Sequence, residues 1–444
     1  SMRWARREFG SFTAVATGIG LAIGWWPVIF SRVGLRPIME PLLLLIFAWF
    51  WPRRPWLAGL FLGLSIYTYT GARVLFLLPV ILFIYWLVMG RWIEAPRQKL
   101  LKWQVPQPLA ASLIALLVSL LVALPLAVTL WADPSLQQRV QQLEGPLTAL
   151  LQGDVQPVVA TSLATLGVFS FMGDPRWTYS LPGRPLFGTL TALFFYGGLL
   201  LSILRFKRPA YAFALIWLIV GLIPSAVTPQ APSTVRLVGA MPVIYMMPAL
   251  ALASLWGRFQ EAQQANRSRA RLVRGLLIAL LGLLFLLNLA STARDGFLGW
   301  PQALETRMKY QSVWQDVAGG LANEPKEGLV LADSFYRPIT ADSLRRNLGY
   351  PLPARWVQTG SEVAGALVIP HDVGSRLIVP EFAPPSPWLM ETAGIDSKPL
   401  YRSQQKPSYA VYALPEDPTL PAMSQEISFS GVITSVSYTH LTLP

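Results

Sequence analysis

Six arginines stand where a cation can do chemistry. Arg32, Arg36, Arg73, Arg176, Arg184 and Arg236 lie at the ends of apolar runs, away from the clusters of Lys and Arg that fill every second connection. The guanidinium is a planar fork that donates in pairs, so arginine is the side chain best suited to grip a phosphate. A set of them on one side of an apolar chain points to an anionic, lipid-linked ligand. Taken singly, each also fits a side chain that reaches to headgroups or closes a helix end.

Five carboxylates share that side: Glu40, Asp133, Glu144, Asp154 and Asp174. Glu40 is the most unusual, because it stands inside an apolar run four positions after Arg36. That spacing allows an ion pair across one helical turn, while a carboxylate at membrane depth is also a functional candidate. Asp174, in GDPRW, reads equally as a turn residue and as a ligand.

Metal chemistry has little to draw on. The chain has no cysteine and two histidines, so only carboxylates could bind a cation, and His371 has no partner at metal-ligand spacing. No metal and no cofactor are expected.

The elements that position these residues follow from composition. Of 444 residues, 53% are hydrophobic and 13% charged, against roughly 25% charged in soluble domains. Apolar runs close to the ~20 residues that cross a bilayer core recur at 9–30, 38–51, 56–71, 74–89, 109–130, 188–204, 211–226, 238–256 and 276–293. The expected fold is therefore a polytopic α-helical membrane bundle of about nine helices over residues 3–294. The second and third runs are short for full spans, which suits a kinked or re-entrant segment.

The formal net charge of +13 is explained by topology. Arg3, Arg6 and Arg7, then Arg53 and Arg54, then Arg91, Arg97, Lys99 and Lys102, then Arg205, Lys207 and Arg208, then Arg258, Arg267, Arg269, Arg271 and Arg274 occupy alternate loops. Alternation of this kind marks the cytoplasmic side, leaves no basic face for nucleic acid, and sends the C-terminal part outside the cytoplasm. The motif Asn266-Arg267-Ser268 then lies inside, where a glycosylation acceptor is not modified.

The large outer loop at 131–187 carries two predicted helices, 134–151 and 155–171, and ends in the turn-rich GDPRWTYSLPGRP. Residues 295–434 read as an extracytoplasmic α/β or α+β domain, with a helix at 304–321 and strands at 328–332, 366–369, 377–379 and 409–414. Ser1-Met2 resembles a cloning remnant, and residues 435–444 resemble a translated adapter read-through. Gly18, Gly20 and Gly24 serve close helix packing, and Trp49, Trp51, Trp56, Tyr67 and Tyr69 read as an interfacial aromatic belt.

Four stretches carry a resemblance: FSRVGLRPIMEPLLLL, LAGLFLGLSIYTYTGARVLFLLPVILF, GDPRWTYSLPGRPLFGTLTALFFYGGLL and PSAVTPQAPSTVRLVGAMPVIYMMPAL. In order and spacing they resemble the bacterial GT-C membrane glycosyltransferases, most of all the branch of protein O-mannosyltransferases and lipid A aminoarabinose transferases. The resemblance implies a multi-pass protein of the inner (plasma) membrane in the cell envelope. It implies transfer of a sugar, with inversion, from a polyprenyl-phosphate-linked donor to a lipid, glycan or protein acceptor, without nucleic acid. It places Arg32, Arg36, Arg73 and Arg236 at the donor phosphate, and Arg176 and Arg184 in the outer loop.

The family's catalytic carboxylate precedes the SRVGLRP stretch, so the expectation is an N-terminally truncated enzyme lacking its general base, with Glu40 and Asp174 as the weaker candidates. Two other readings stay open: a transporter or flippase-like carrier of a lipid-linked or anionic solute, and a membrane scaffold whose outer domain binds partners. Against the transporter, the chain shows no internal repeat and no acidic pair at the centre of a span.

Overall fold

A computed structural model describes the chain except residues 101–102, 138–144, 266, 322–327, 334–343, 345–353, 360–373, 416–426, 430–432 and 436–444. Glu144, Asn266, His371, the predicted strand at 366–369 and nearly all of the tail lie outside the described residues. Two compact units appear, Ser1–Trp300 and Pro301–Pro444. The boundary falls six residues after the end of the bundle expected from hydropathy.

Unit 1 is a polytopic helical membrane bundle. Its helices are α1 (Met2–Phe9), α2 (Ser11–Ile23), α3 (Trp25–Val33), α4 (Glu40–Phe50), α5 (Pro55–Ser65), α6 (Leu77–Met89), α7 (Gln107–Ala132), α8 (Gly145–Leu151), α9 (Gln156–Gly167), α10 (Thr189–Leu204), α11 (Pro209–Ala226), α12 (Met241–Ala265) and α13 (Arg267–Ala293). Among the described residues, five helices are long and apolar enough to cross a membrane, and the bent pair α2 and α3 makes a sixth. That pair turns by 54° at Gly24, whose extended backbone breaks the helix. The apolar runs at 38–51, 56–71 and 188–204 are also helical, but α4, α5 and α10 are 11, 11 and 16 residues long.

Proline and glycine set the helix limits. Pro41, Pro55 and Pro209 sit in the first turns of α4, α5 and α11, where a missing N–H costs nothing. Gly34, at φ 65°, ends α3 in the left-handed conformation, and a 3₁₀ turn over Arg36–Met39 then leads directly into Glu40. In the outer loop, the predicted helix at 134–151 is described only as a 3₁₀ turn at Pro134–Gln137 and α8, and α9 is shorter than its predicted range.

Lipid tails are as apolar as the helices, so close packing holds such a bundle together. Gly59 and Gly63 of α5 lie against α7 so closely that a Cβ at either would overlap Ala115, Val118 or Val122. The bundle's basic loops meet at one end. Arg7 donates to the carbonyls of Trp49 (2.6 Å) and Ala48 (3.0 Å), and Tyr85 donates to Phe206 O at 3.1 Å.

Unit 1 also carries a short antiparallel pair, β1 (Arg97–Leu100) and β2 (Trp103–Pro106), and unit 2 contains a five-stranded mixed sheet. In order it runs β4 (Ala354–Gln358), β3 (Leu329–Asp333), β5 (Arg376–Pro380), β7 (Tyr409–Ala413) and β6 (Tyr401–Arg402). The first three strands are parallel and the last two antiparallel. Every residue of β3 is buried, as a parallel strand covered on both faces requires. Leu329 and Leu331 pack with Val313, Trp314 and Val317 on one face, and Val330 and Ala332 with Ala393 and Ile395 on the other. The helix predicted at 304–321 is two helices, Leu304–Lys309 and Val313–Gly320, separated at Gln311, which has φ 50°.

Candidate functional site

The site forms at the end of unit 1 opposite the basic loops, where three stretches distant in sequence converge. The first is the start of α4. Glu40 is 3% exposed, and its Oε2 has no hydrogen-bond partner. The expected pair with Arg36 does not form: Arg36 is exposed on the 3₁₀ turn, and Glu40 has no ion pair among the described residues. A 3₁₀ turn points successive side chains about 120° apart rather than 100°, so the four-residue spacing no longer brings the two together.

The carboxylate instead lies against the backbone of Gly239. A Cβ at that position would overlap Glu40 Oε1. Trp217 Nε1 donates to Gly239 O at 2.9 Å and fixes this backbone from the other side.

The second stretch is the end of the outer loop. Asp174 is fully buried and its carboxylate is completely engaged. Oδ1 accepts from Arg176 N (3.1 Å) and Nε (3.0 Å), while Oδ2 accepts from Arg176 Nη2 (3.1 Å), Thr234 N (2.7 Å) and Thr234 Oγ1 (2.9 Å). The fork-to-fork bond orients Arg176, whose remaining donors reach Gln230 Oε1 at 3.2 Å and Ser233 Oγ. Its guanidinium lies 5.3 Å from the ring centre of Tyr179. Burial pulls the Arg176 pKa down, but the bonds and charge of Asp174 outweigh it and raise the net value.

The third stretch, residues 225–239, joins these parts. Ser233 N donates to Ser225 Oγ at 3.0 Å, and Arg236, 7% exposed, donates to Thr228 Oγ1 at 2.6 Å. The Arg236 guanidinium also interacts with the hydroxyl of Tyr69, and Tyr69 lies within electrostatic reach of both Glu40 and Tyr179. Burial lowers the Arg236 pKa, yet a guanidinium keeps its proton at any physiological pH.

The six arginines predicted from sequence therefore do not form one ring. Arg176 and Arg236 meet here, and Arg73 sits on the 3₁₀ segment Thr70–Phe76 that follows Tyr69. Arg184 and Arg32 form a separate group: Arg184 pairs with Asp295 at 2.7 Å, while Arg32 donates to Gly296 O. Burial lowers the Arg184 pKa, and Asp295 opposes that effect.

Several participants are missing from the sequence reading: Tyr69, Tyr179, Gln230, Ser233, Thr234, Gly239 and Asp295. Tyr69 was expected in the aromatic belt. Trp56 and Tyr67 are exposed there, but Tyr69 turns inward to Arg236, and buried Trp51 donates to Ser112 Oγ at 3.2 Å. Only Tyr69 carried a signal, as a polar aromatic four positions before an arginine in YTYTGAR.

No protein-family model matches the sequence, and no curated protein matches it. Among solved structures, the chain is similar to the oligosaccharyltransferase of Archaeoglobus fulgidus in complex with zinc and sulfate. The TM-score is 0.41 and the identity 15%, over 80% of this chain and 48% of that one. The same organism's oligosaccharyltransferase AglB, with an inhibitory peptide and a dolichol-phosphate, gives a TM-score of 0.40 and 16% identity over 79% and 47%. ArnT from Cupriavidus metallidurans, bound to undecaprenyl phosphate, gives 0.40 and 15% over 93% and 80%. The chain spans about half the length of the Archaeoglobus enzyme.

Proposed function

We propose that the chain acts as a membrane glycosyltransferase, moving a sugar from a polyprenyl-phosphate carrier to a lipid, glycan or protein acceptor on the extracytoplasmic side. The observation that carries this reading is the pairing of a buried, unpartnered carboxylate oxygen on Glu40 with the Arg236–Tyr69 contact close by. Inverting sugar transfer needs a base for the acceptor hydroxyl and a cation for the departing phosphate. The other described carboxylates at this end are committed elsewhere. Asp174 is saturated, Asp295 is shared by Arg184 and Arg294, and Asp133 and Asp154 close local turns through Ser135 and Gln156.

In this reading the acceptor oxygen attacks the anomeric carbon, and its proton passes to Glu40. The bond from that carbon to the phosphate oxygen breaks, and its electron pair leaves with the lipid phosphate, whose charge Arg236, Arg176 and Arg73 stabilise. Asp174 is a positioning residue that aims Arg176. The signature stretches support the cationic half of this reading, at Arg73 and Arg236, whereas the resemblance puts the family's own carboxylate before SRVGLRP.

The test uses the purified chain in nanodiscs with undecaprenyl-phosphate-linked mannose or aminoarabinose, reading release of undecaprenyl phosphate. Arg236→Ala and Arg73→Ala are each expected to weaken binding of undecaprenyl phosphate about tenfold or more, since a charge-assisted bond contributes roughly 1.5–3 kcal/mol. Unchanged binding in both variants returns these arginines to helix-end roles. Glu40→Gln is expected to abolish release. Turnover that survives Glu40→Gln, or that appears only when preceding helices are added, assigns the base to the segment before SRVGLRP instead.

A further inference from the structure

An apolar cleft lies close to the arginines that the proposed transfer does not use. Helices α2, α10, α12 and α13 enclose an apolar cleft of about 330 Å³, lined among others by Val15, Ile19, Phe194, Leu252, Phe285 and Asn288. Val15, Ile19 and Phe285 are 48%, 42% and 38% exposed, so the cleft opens along the lipid-facing side of the bundle. Its α2 wall runs from Phe12 to Ile23, roughly 16 Å at 1.5 Å per residue. That length matches the roughly 15 Å of one leaflet, half of a ~30 Å hydrocarbon core.

One end of the cleft is cationic. Asn288 lines it, donating to Thr191 Oγ1 at 2.8 Å, and one helical turn further Ser291 accepts from Arg184 Nη2 at 3.3 Å. Arg184 lies 4.1 Å over the ring of Trp25, and its Nη1 is buried without a hydrogen-bond partner. Asp295 binds Arg184 at 2.7 Å and Arg294 at 2.6 Å, and Arg294 remains 74% exposed. Arg32 reaches the adjoining Gly296 carbonyl and lies 4.5 Å over Phe297. Two arginines thus share one carboxylate and a third stands on the adjoining carbonyl, leaving net positive charge beside an apolar slot one leaflet deep.

We infer that this cleft holds one acyl chain of an anionic bilayer phospholipid, with its phosphate at Arg184 and Arg294. A zwitterionic lipid fits the slot equally well but brings its own cation to the arginines. The assignment does not rest on the transfer reaction, because the residues differ from those around Glu40.

Native mass spectrometry of the delipidated chain in detergent tests the inference, with phosphatidylglycerol and phosphatidylcholine of identical acyl chains as probes. Wild-type protein is expected to retain phosphatidylglycerol about tenfold more strongly, the factor of one charge-assisted contact. Arg294→Gln, at an exposed position, should remove most of that preference. Ala16→Phe, which fills the slot, should reduce retention of both lipids, while Glu40→Gln should change neither. Equal retention of the two lipids by wild type, unchanged retention in Ala16→Phe, or full displacement of phosphatidylglycerol by equimolar undecaprenyl phosphate would each overturn it.

Discussion

Gly239 and Glu40 share a space that admits no side chain at the glycine. The carboxylate of Glu40 and the δ-carbon of Leu44 both crowd the position that a Cβ on Gly239 would occupy. Gly239→Ala is therefore expected to destabilise the bundle by about 1–3 kcal/mol through overpacking. Combining it with Glu40→Ala should recover part of that loss, because the clashing oxygen is gone. Thermal unfolding in detergent reads both effects, and strict additivity would show that the contact is not the cause.

Glu40→Gln separates stability from function. A buried carboxylate with an unpartnered oxygen destabilises the protein that contains it, and such groups cluster at functional sites. The variant is expected to be at least as stable as wild type, while transfer is lost. A drop in melting temperature comparable to that of Gly239→Ala would instead make Glu40 a structural residue.

Asp174 ties the outer loop to the 225–239 stretch through two hydrogen bonds accepted from Thr234, and it accepts three more from Arg176 in its own loop. Asp174→Ala should cost about 3 kcal/mol, the lower end for breaking a buried pair, because Arg176 keeps 24% of its side chain in solvent. Asp174→Asn retains part of the network and should cost less. Limited proteolysis of the 174–187 segment should accelerate in the same order, and equal protection in all three proteins would count against the tie.

In unit 2, Glu381 accepts from Lys406 Nζ (2.7 Å), Ser408 N (2.9 Å) and Ser408 Oγ (3.0 Å). The Lys406 bond, then that of Ser408, holds its carboxyl down at about 2, against 4.5. A depressed folded-state value stabilises fully above the unfolded value and is lost as pH falls through the folded one. The contribution should therefore be present above about pH 5 and vanish between about 4.5 and 2. The gap in urea midpoint between wild type and Glu381→Gln in the full chain should close over that window. A gap unchanged at pH 2 would refute the assignment.

The natural absence of cysteine makes topology directly testable. Ser31 and Lys207 are exposed, one near the candidate site and the other among the basic loops. Cysteines placed at these two positions should react with a membrane-impermeant thiol reagent from opposite sides. Reaction of both from one side would remove the alternating arrangement.

Hydropathy and loop charge are properties of contiguous residues, so the sequence alone determined the helical membrane bundle, the separate C-terminal domain and the position of most helices. Local chemistry was only partly legible: Asp174, which reads as a turn residue or a ligand, pairs with Arg176 two positions on, and Gly24, which reads as a packing position, meets Tyr245 across 221 positions. Even a four-residue spacing misled at Arg36 and Glu40, because a 3₁₀ turn replaced the helix there.

Only the tertiary structure decided which arginines act together. Arg236 meets Tyr69 across 167 positions, and Arg184 meets Asp295 across 111. Every apolar helix face satisfies the same hydropathy pattern, so periodicity specifies that helices bury a face and not which neighbour they bury it against. Side-chain pairing across helices depends on the crossing and register of whole elements, which small residues such as Gly59, Gly63 and Gly239 set by allowing backbones and buried groups to approach.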